Sequence, residues 1–211
     1  MPVRARTSIV LALAAVLAPG CGGSGGPDDI VVALGGEAAL DGYVRSDTGT
    51  AHPDGGGPFM GDFVFFGNRV ARQFFSFAFV GLPASGQLVS ARIRLNQQVV
   101  SGTPFTGLGS VLLEHVDYGA TLNSSDFGIS PLPGGALVLA SDASLGVKEL
   151  DVTTFVASDL AAGRTRSQFR LRFSLMDTDS DSSDDLVQYT DTENSITGTG
   201  VPPQLVLTFA P

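Results

Sequence analysis

The sequence predicts an all-β protein built as a sandwich of two antiparallel sheets, and three observations lead there. Apolar side chains recur at every second position in several short runs, which is the period of a strand with one buried face. Turn formers are abundant, with 27 glycines and 12 prolines among 211 residues, so the runs are short and punctuated. After the N-terminus a single segment, Asp151 to Gly163, carries a helical pattern, and it predicts one short helix near 153–162. A hydrophobic fraction of 43% against 16% charged residues is enough for one sizeable core, so one folded domain is expected.

In chain order, Met1 to Gly20 has a basic start at Arg4 and Arg6, the apolar run Ile9 to Ala18, and then small residues. That is the build of a secretory signal peptide, and its apolar run is shorter than the roughly 20 residues a membrane-spanning helix needs. Cys21, the only cysteine, follows Leu17-Ala-Pro-Gly20 directly. This arrangement resembles the signal of bacterial lipoproteins, in which the cysteine becomes the lipid-bearing first residue. The resemblance implies an exported protein held by lipid at the outer membrane or cell surface. Gly22 to Gly26 is a flexible tether, so 21–36 reads as anchor and linker and 37–211 as the sandwich domain. Loss of the signal lowers Lys+Arg from 12 to 10 against 21 Asp+Glu, a balance of −11. Nucleic acid is therefore not an expected partner, since its affinity rests on Lys and Arg neutralising phosphates.

Asp29 to Leu34 and Leu40 to Arg45 are short strand candidates, and 46–61 is rich in Gly, Pro and Asp and reads as a surface loop. Arg69 to Leu95 reads as a long hairpin. Phe75, Phe77 and Phe79 alternate in its first arm, and Val89, Ala91, Ile93 and Leu95 in its second, around the turn Gly81-Leu-Pro-Ala-Ser-Gly86. The first arm is apolar on both faces, through Phe74, Ala78 and Val80, and should be covered on both sides. Ser110 to Tyr118, Leu137 to Ala140 and Val147 to Leu150 are further strands. So is Ser167 to Leu175, with Phe169, Leu171, Phe173 and Leu175 inward and Arg170 and Arg172 outward, and Pro203 to Phe209 closes the fold.

The order of these pieces resembles the DNRLRE domain over roughly residues 37–210. The matching stretches are Asp41-Gly-Tyr-Val44, Arg72 followed by Phe75, Phe77 and Phe79, and Gly81-Leu-Pro83. They continue with Ser90-Ala-Arg-Ile-Arg-Leu95, Asp151-Val-Thr153 and Pro203-Gln-Leu-Val-Leu-Thr-Phe209. The resemblance implies a jelly-roll-like sandwich, and some members of that family are modules that bind acidic glycans.

Three groups of residues stand out as candidate sites. Asp177, Asp179, Asp181, Asp184 and Asp185 lie within nine positions. Such oxygen ligands on a loop suit calcium, though a solvated acidic loop explains them too. Arg92, Arg94, Arg170 and Arg172, outward on the two cleanest strands, would form a basic strip for carboxylates or sulfates if those strands were neighbours. Pairing with Glu149 or Glu114 is the alternative. His115 and Tyr118 lie in Glu114-His-Val-Asp-Tyr118, either as a polar binding patch with a stacking ring or as a satisfied histidine and a sheet cover. No G-x-S-x-G nucleophile elbow, H-E-x-x-H or phosphate-binding glycine loop occurs; Gly22-Gly-Ser-Gly-Gly26 matches the first pattern in letters only, within the tether.

The expected function is a non-catalytic lipoprotein module at a bacterial surface, binding an acidic glycan or taking part in envelope assembly. A purely structural domain with a calcium-pinned loop is the alternative, and a polysaccharide hydrolase or lyase is a third reading.

Overall fold

Wherever apolar side chains alternate, the backbone is extended. The computed structural model describes residues 28–46, 51–52, 59–64, 69–175, 183–192 and 201–211. The signal, Cys21, the glycine tether, Asp177, Asp179 and Asp181 lie outside them. Twelve strands run through the described residues: β1 (Ile30–Gly35), β2 (Gly42–Arg45), β3 (Ala51–His52), β4 (Phe59–Phe63), β5 (Arg69–Ala78) and β6 (Gln87–Ser101), then β7 (Val111–Val116), β8 (Ala136–Ala140), β9 (Gly146–Asp151), β10 (Arg166–Phe173), β11 (Asp185–Tyr189) and β12 (Gln204–Ala210). One-turn helix α1 (Pro104–Gly107) and α2 (Thr153–Ala161) complete the fold with a 3₁₀ turn at Ser124–Gly128. The expected helix is therefore present. The Asp151 carboxylate, one residue ahead of the N-cap Val152, accepts the Thr153 N–H at 2.9 Å.

Every strand pair is antiparallel. One layer of the sandwich is β1-β12-β6-β9, and the other runs β4-β5-β10-β7-β8 with β2 beside β5. The two are not separate sheets: β11 hydrogen-bonds to the far half of β6 and to β4, so one continuous ladder folds over on itself. β1 pairs with β12 throughout, which places the start of the sandwich at Ile30, ahead of the boundary at 37 suggested by the sequence.

The hairpin expected over 69–95 does not form. β5 pairs with β2, β4 and β10, whereas β6 pairs with β9, β11 and β12. The turn at 81–86 instead carries the chain from one layer to the other, so the two apolar rows meet face to face. Phe75 and Phe77 of β5, Phe169 and Leu171 of β10 and Leu113 of β7 share one core with Ala91, Ile93 and Leu95 of β6 and Leu205 and Leu207 of β12. Each fully buried side chain of this size contributes roughly 1.5–3 kcal/mol. Val89 falls outside the row. A register shift between Thr208 and Phe209 makes it the extra residue of a bulge, and it is exposed. Leu175, expected inward, lies beyond the end of β10 and is exposed as well.

The outer face of β5 is covered at Phe74, as its sequence predicts, but Ala78 is half-buried and Val80, beyond the end of the strand, is exposed. Phe74 packs there in a second cluster with Leu40, Val44, Val116, Tyr118 and Leu122. The cover consists of the chain around Leu40 and the crossing segment from Tyr118 to Ile129, and it decides the environment of several polar residues.

Candidate functional site

The four arginines of the expected strip do not come together, because β6 and β10 lie in different layers. Arg92 and Arg94 project from the outer face of β6, where Glu149 of β9 bridges them: Arg92 Nη1 to Oε1 at 2.9 Å and Arg94 Nε to Oε2 at 3.2 Å. Arg170 is buried rather than outward. It meets Glu114 at 2.5 Å and donates to the carbonyls of Phe127 and Ile129 at 3.1 and 2.8 Å, while Arg172 reaches the other Glu114 oxygen at 2.8 Å. Arg72 joins them, its guanidinium 4.1 Å from the centre of the Phe127 ring. Burial pushes Glu114 up, but hydrogen bonds from Arg170 and Arg172 outweigh it and hold the carboxyl below its ordinary value. Burial, reinforced by Arg170, lowers Arg72 to about 10. The carboxylate pairing considered as the alternative thus holds on both strands.

His115 and Tyr118 do not form an exposed patch, for both are buried. The His115 ring stacks on Phe155 at 5.0 Å, with Nε2 2.8 Å from Asp159 Oδ2. The Ser167 hydroxyl donates to that same oxygen. Ser167 therefore faces the carboxylate and not the imidazole, and the grouping lacks the nucleophile–base contact of a catalytic triad. Tyr118 donates to the Leu40 carbonyl at 3.1 Å and meets Phe74 edge to face. Strand alternation indicated one covered face, but not the cover on the second.

Asp184 and Asp185 fix backbone at one end of the sandwich. Asp184 Oδ1 accepts the Val64 N–H at 2.8 Å, and Asp185 Oδ1 accepts the Thr103 N–H at 2.5 Å. Among the described residues no group of three or more His, Cys, Asp or Glu is placed to hold a metal.

A cleft of about 360 Å³, within the size range of small-ligand sites, opens where β7 leaves its layer and β10 enters. Asp117, Gly119, Arg164, Arg166 and Gln168 line it. Two glycines with positive φ, Gly119 at +75° and Gly163 at +68°, turn the chain here where other residues would be strained. The charged groups are held in place. Arg164 Nε is 3.2 Å from Asp117 Oδ2, and its Nη1 is 2.7 Å from Asp159 Oδ1. The hydrogen bond to Asp159 raises the pKa of this guanidinium. Arg166 Nη1 and Gln168 Nε2 both donate to the Gly119 carbonyl, at 3.1 and 2.8 Å. The Gln168 side-chain oxygen accepts the N–H groups of Tyr118 and Gly119. Sequence reasoning missed this cleft. Its one signal is Gly163-Arg-Thr-Arg166, where a helix stop is followed directly by two cations.

The chain matches none of the models of known protein families, and no curated protein matches it either. Among the described residues no helix is long and apolar enough to cross a membrane.

Proposed function

We propose that this chain is a non-catalytic β-sandwich module, exported and held at a bacterial outer membrane or cell surface by lipid on Cys21, that recognises a glycan. The observation that carries this reading is the cleft between Asp117 and Arg166, where side-chain donors and acceptors fixed by the fold converge on a space of ligand size. The order of motifs resembling the DNRLRE domain supports the same reading. His115 is 1% exposed and turned to Asp159, which fits a structural role for this imidazole. The test is a glycan array probed with detergent-solubilised full-length protein and with its Arg164→Ala variant. Binding that the substitution abolishes is expected, and binding unaffected by it would remove the cleft from the proposal.

A second reading has its own observation. Asp184 and Asp185 each hold a backbone N–H of a distant segment, which suits a structural domain whose acidic segment ties distant loops together, with calcium on that segment as the further element of this reading. A ligand that binds only the folded state raises its Tm. A rise with calcium, reversed by chelator, would favour this reading, and identical melting in both conditions would dismiss it.

A further inference from the structure

We infer that the cleft takes an uncharged, polyhydroxylated sugar, gripped between the Asp117 carboxylate and the Arg164 guanidinium, and not the acidic glycan expected from the sequence. This rests on the proposal that the cleft is a glycan site, and it goes further by naming the ligand class.

Charge is the first reason. Two guanidiniums face three carboxylates: Arg164 lies between Asp117 and Asp159, and Arg166 Nε is 3.6 Å from Glu37 Oε2. A carboxylated or sulfated ligand would have to displace Asp117 from Arg164, and would then sit among like charges on a chain whose net charge without the signal, 10 Lys+Arg against 21 Asp+Glu, is −11.

Hydrogen-bonding capacity is the second. A guanidinium carries five N–H donors, and a carboxylate has about four acceptor positions. Arg164 directs one nitrogen to Asp117 and another to Asp159, while Asp117 also accepts the Gly119 N–H at 3.2 Å. Both groups keep capacity, and they are 3.2 Å apart. A hydroxyl both donates and accepts, so two adjacent sugar hydroxyls satisfy such a pair together: one donates to Asp117 and the other accepts from Arg164.

Preorganisation is the third. Asp159 is buried, and its Oδ2 is engaged by His115 and Ser167, so its Oδ1 holds the Arg164 fork from below. Little side-chain entropy remains to be lost on binding. Among the described residues no aromatic side chain lines the cleft, so recognition falls on hydroxyls and not on ring stacking.

The experiment is an array carrying matched neutral and uronic-acid oligosaccharides, probed with the full-length protein, Asp117→Ala and Arg164→Ala. Asp117 is 48% exposed, so its truncation should lower Tm by no more than a few degrees, and Tm is measured beside binding for each variant. The expected result is binding to neutral members at least about tenfold stronger than to acidic ones, with a loss of tenfold or more in both variants. Preferred binding of acidic members that Arg164→Ala abolishes would overturn the ligand class and leave the cleft reading intact. No binding to either class, or binding that both variants retain, would overturn the cleft reading and this inference with it.

Discussion

Residues 90–95 and 168–173 carry the same alternation, two arginines spaced among apolar neighbours, and each pair shares a single glutamate. On β6 the side chains of Arg92 and Arg94 are 55% and 40% exposed and that of Glu149 39%. On β10 those of Arg170 and Arg172 are 4% and 25% exposed and that of Glu114 5%. The difference comes from elsewhere in the chain. The segment from Tyr118 to Ile129 lies over the outer face of β5 and β10. Among the described residues the face of β6 that carries Arg92 has no such cover. Facing away from the core is therefore not the same as facing water, and one charge pattern acquires two different energies.

The largest expected effect follows from removing each glutamate. Glu114→Ala leaves buried guanidiniums without their carboxylate, a loss of about 3–5 kcal/mol. Glu149→Ala breaks exposed pairs that are worth about 0–1 kcal/mol. Urea unfolding of the two variants measures both. Equal losses would mean that the cover has no energetic role.

This pair also marks how much was legible in the sequence. Alternation identified the core residues Phe75, Ile93, Phe169 and Leu171 and the all-β sandwich, because period two fixes which side of a strand is apolar. It did not identify which strand pairs with which: β5 and β6 carry complementary apolar rows whether they lie edge to edge or face to face. Nor did it reveal that Arg170 is buried, or decide between an exposed patch and a structural pair for His115 and Tyr118, since their burial depends on α2 and on the crossing segment, both remote in sequence. β11 escaped notice because it is only five residues long, Asp185-Leu-Val-Gln-Tyr189, and begins on the last carboxylate of the acidic run. The cleft was illegible for the same reason, as Asp117 and Arg164 meet only after β7 and β10 have paired.

Two carboxyls near the covered face should shape stability against pH in opposite directions. Asp41 is buried, and this desolvation pushes it up to about 8 despite hydrogen bonds from Thr192 and Ser76. Its folded-state pKa lies above the unfolded value, so the fold favours the protonated form. That contribution is complete below about pH 4 and is lost as pH rises towards 8. Glu114 is shifted down, so its contribution is present above the unfolded value of about 4.3 and is lost as pH falls through its lower folded value. Tm measured from pH 3 to 9 should fall on both sides. Asp41→Asn should flatten the alkaline limb and Glu114→Gln the acid limb. An alkaline limb unchanged by Asp41→Asn would show that another group titrates there.

Thinning the cover should move the buried pair towards the exposed one. Phe127→Ala removes the ring beneath Arg72 and part of the second cluster, a loss of about 1–2 kcal/mol. Contacting residues are not additive. In the Phe127→Ala background, Glu114→Ala should therefore cost less than it does alone, because water then reaches the guanidiniums. A double-mutant cycle by urea unfolding reads this coupling, and strict additivity would mean that Phe127 does not shield the pair.

The smallest effect is expected at Glu149, and its salt dependence makes it informative. Arg92 lies opposite Asp151 as well as near Glu149, so removing Glu149 leaves Arg92 another carboxylate across the strand pair. Screening shortens the reach of exposed charges to about 3 Å at 1 M salt, whereas buried pairs are little affected. The stability difference between Glu149→Ala and the parent should therefore shrink towards zero as salt rises, while the difference for Glu114→Ala should persist. A Glu149→Ala loss above about 2 kcal/mol that high salt left unchanged would lie outside the range of exposed pairs, and would mean that the outer face of β6 is covered in solution, as that of β10 is.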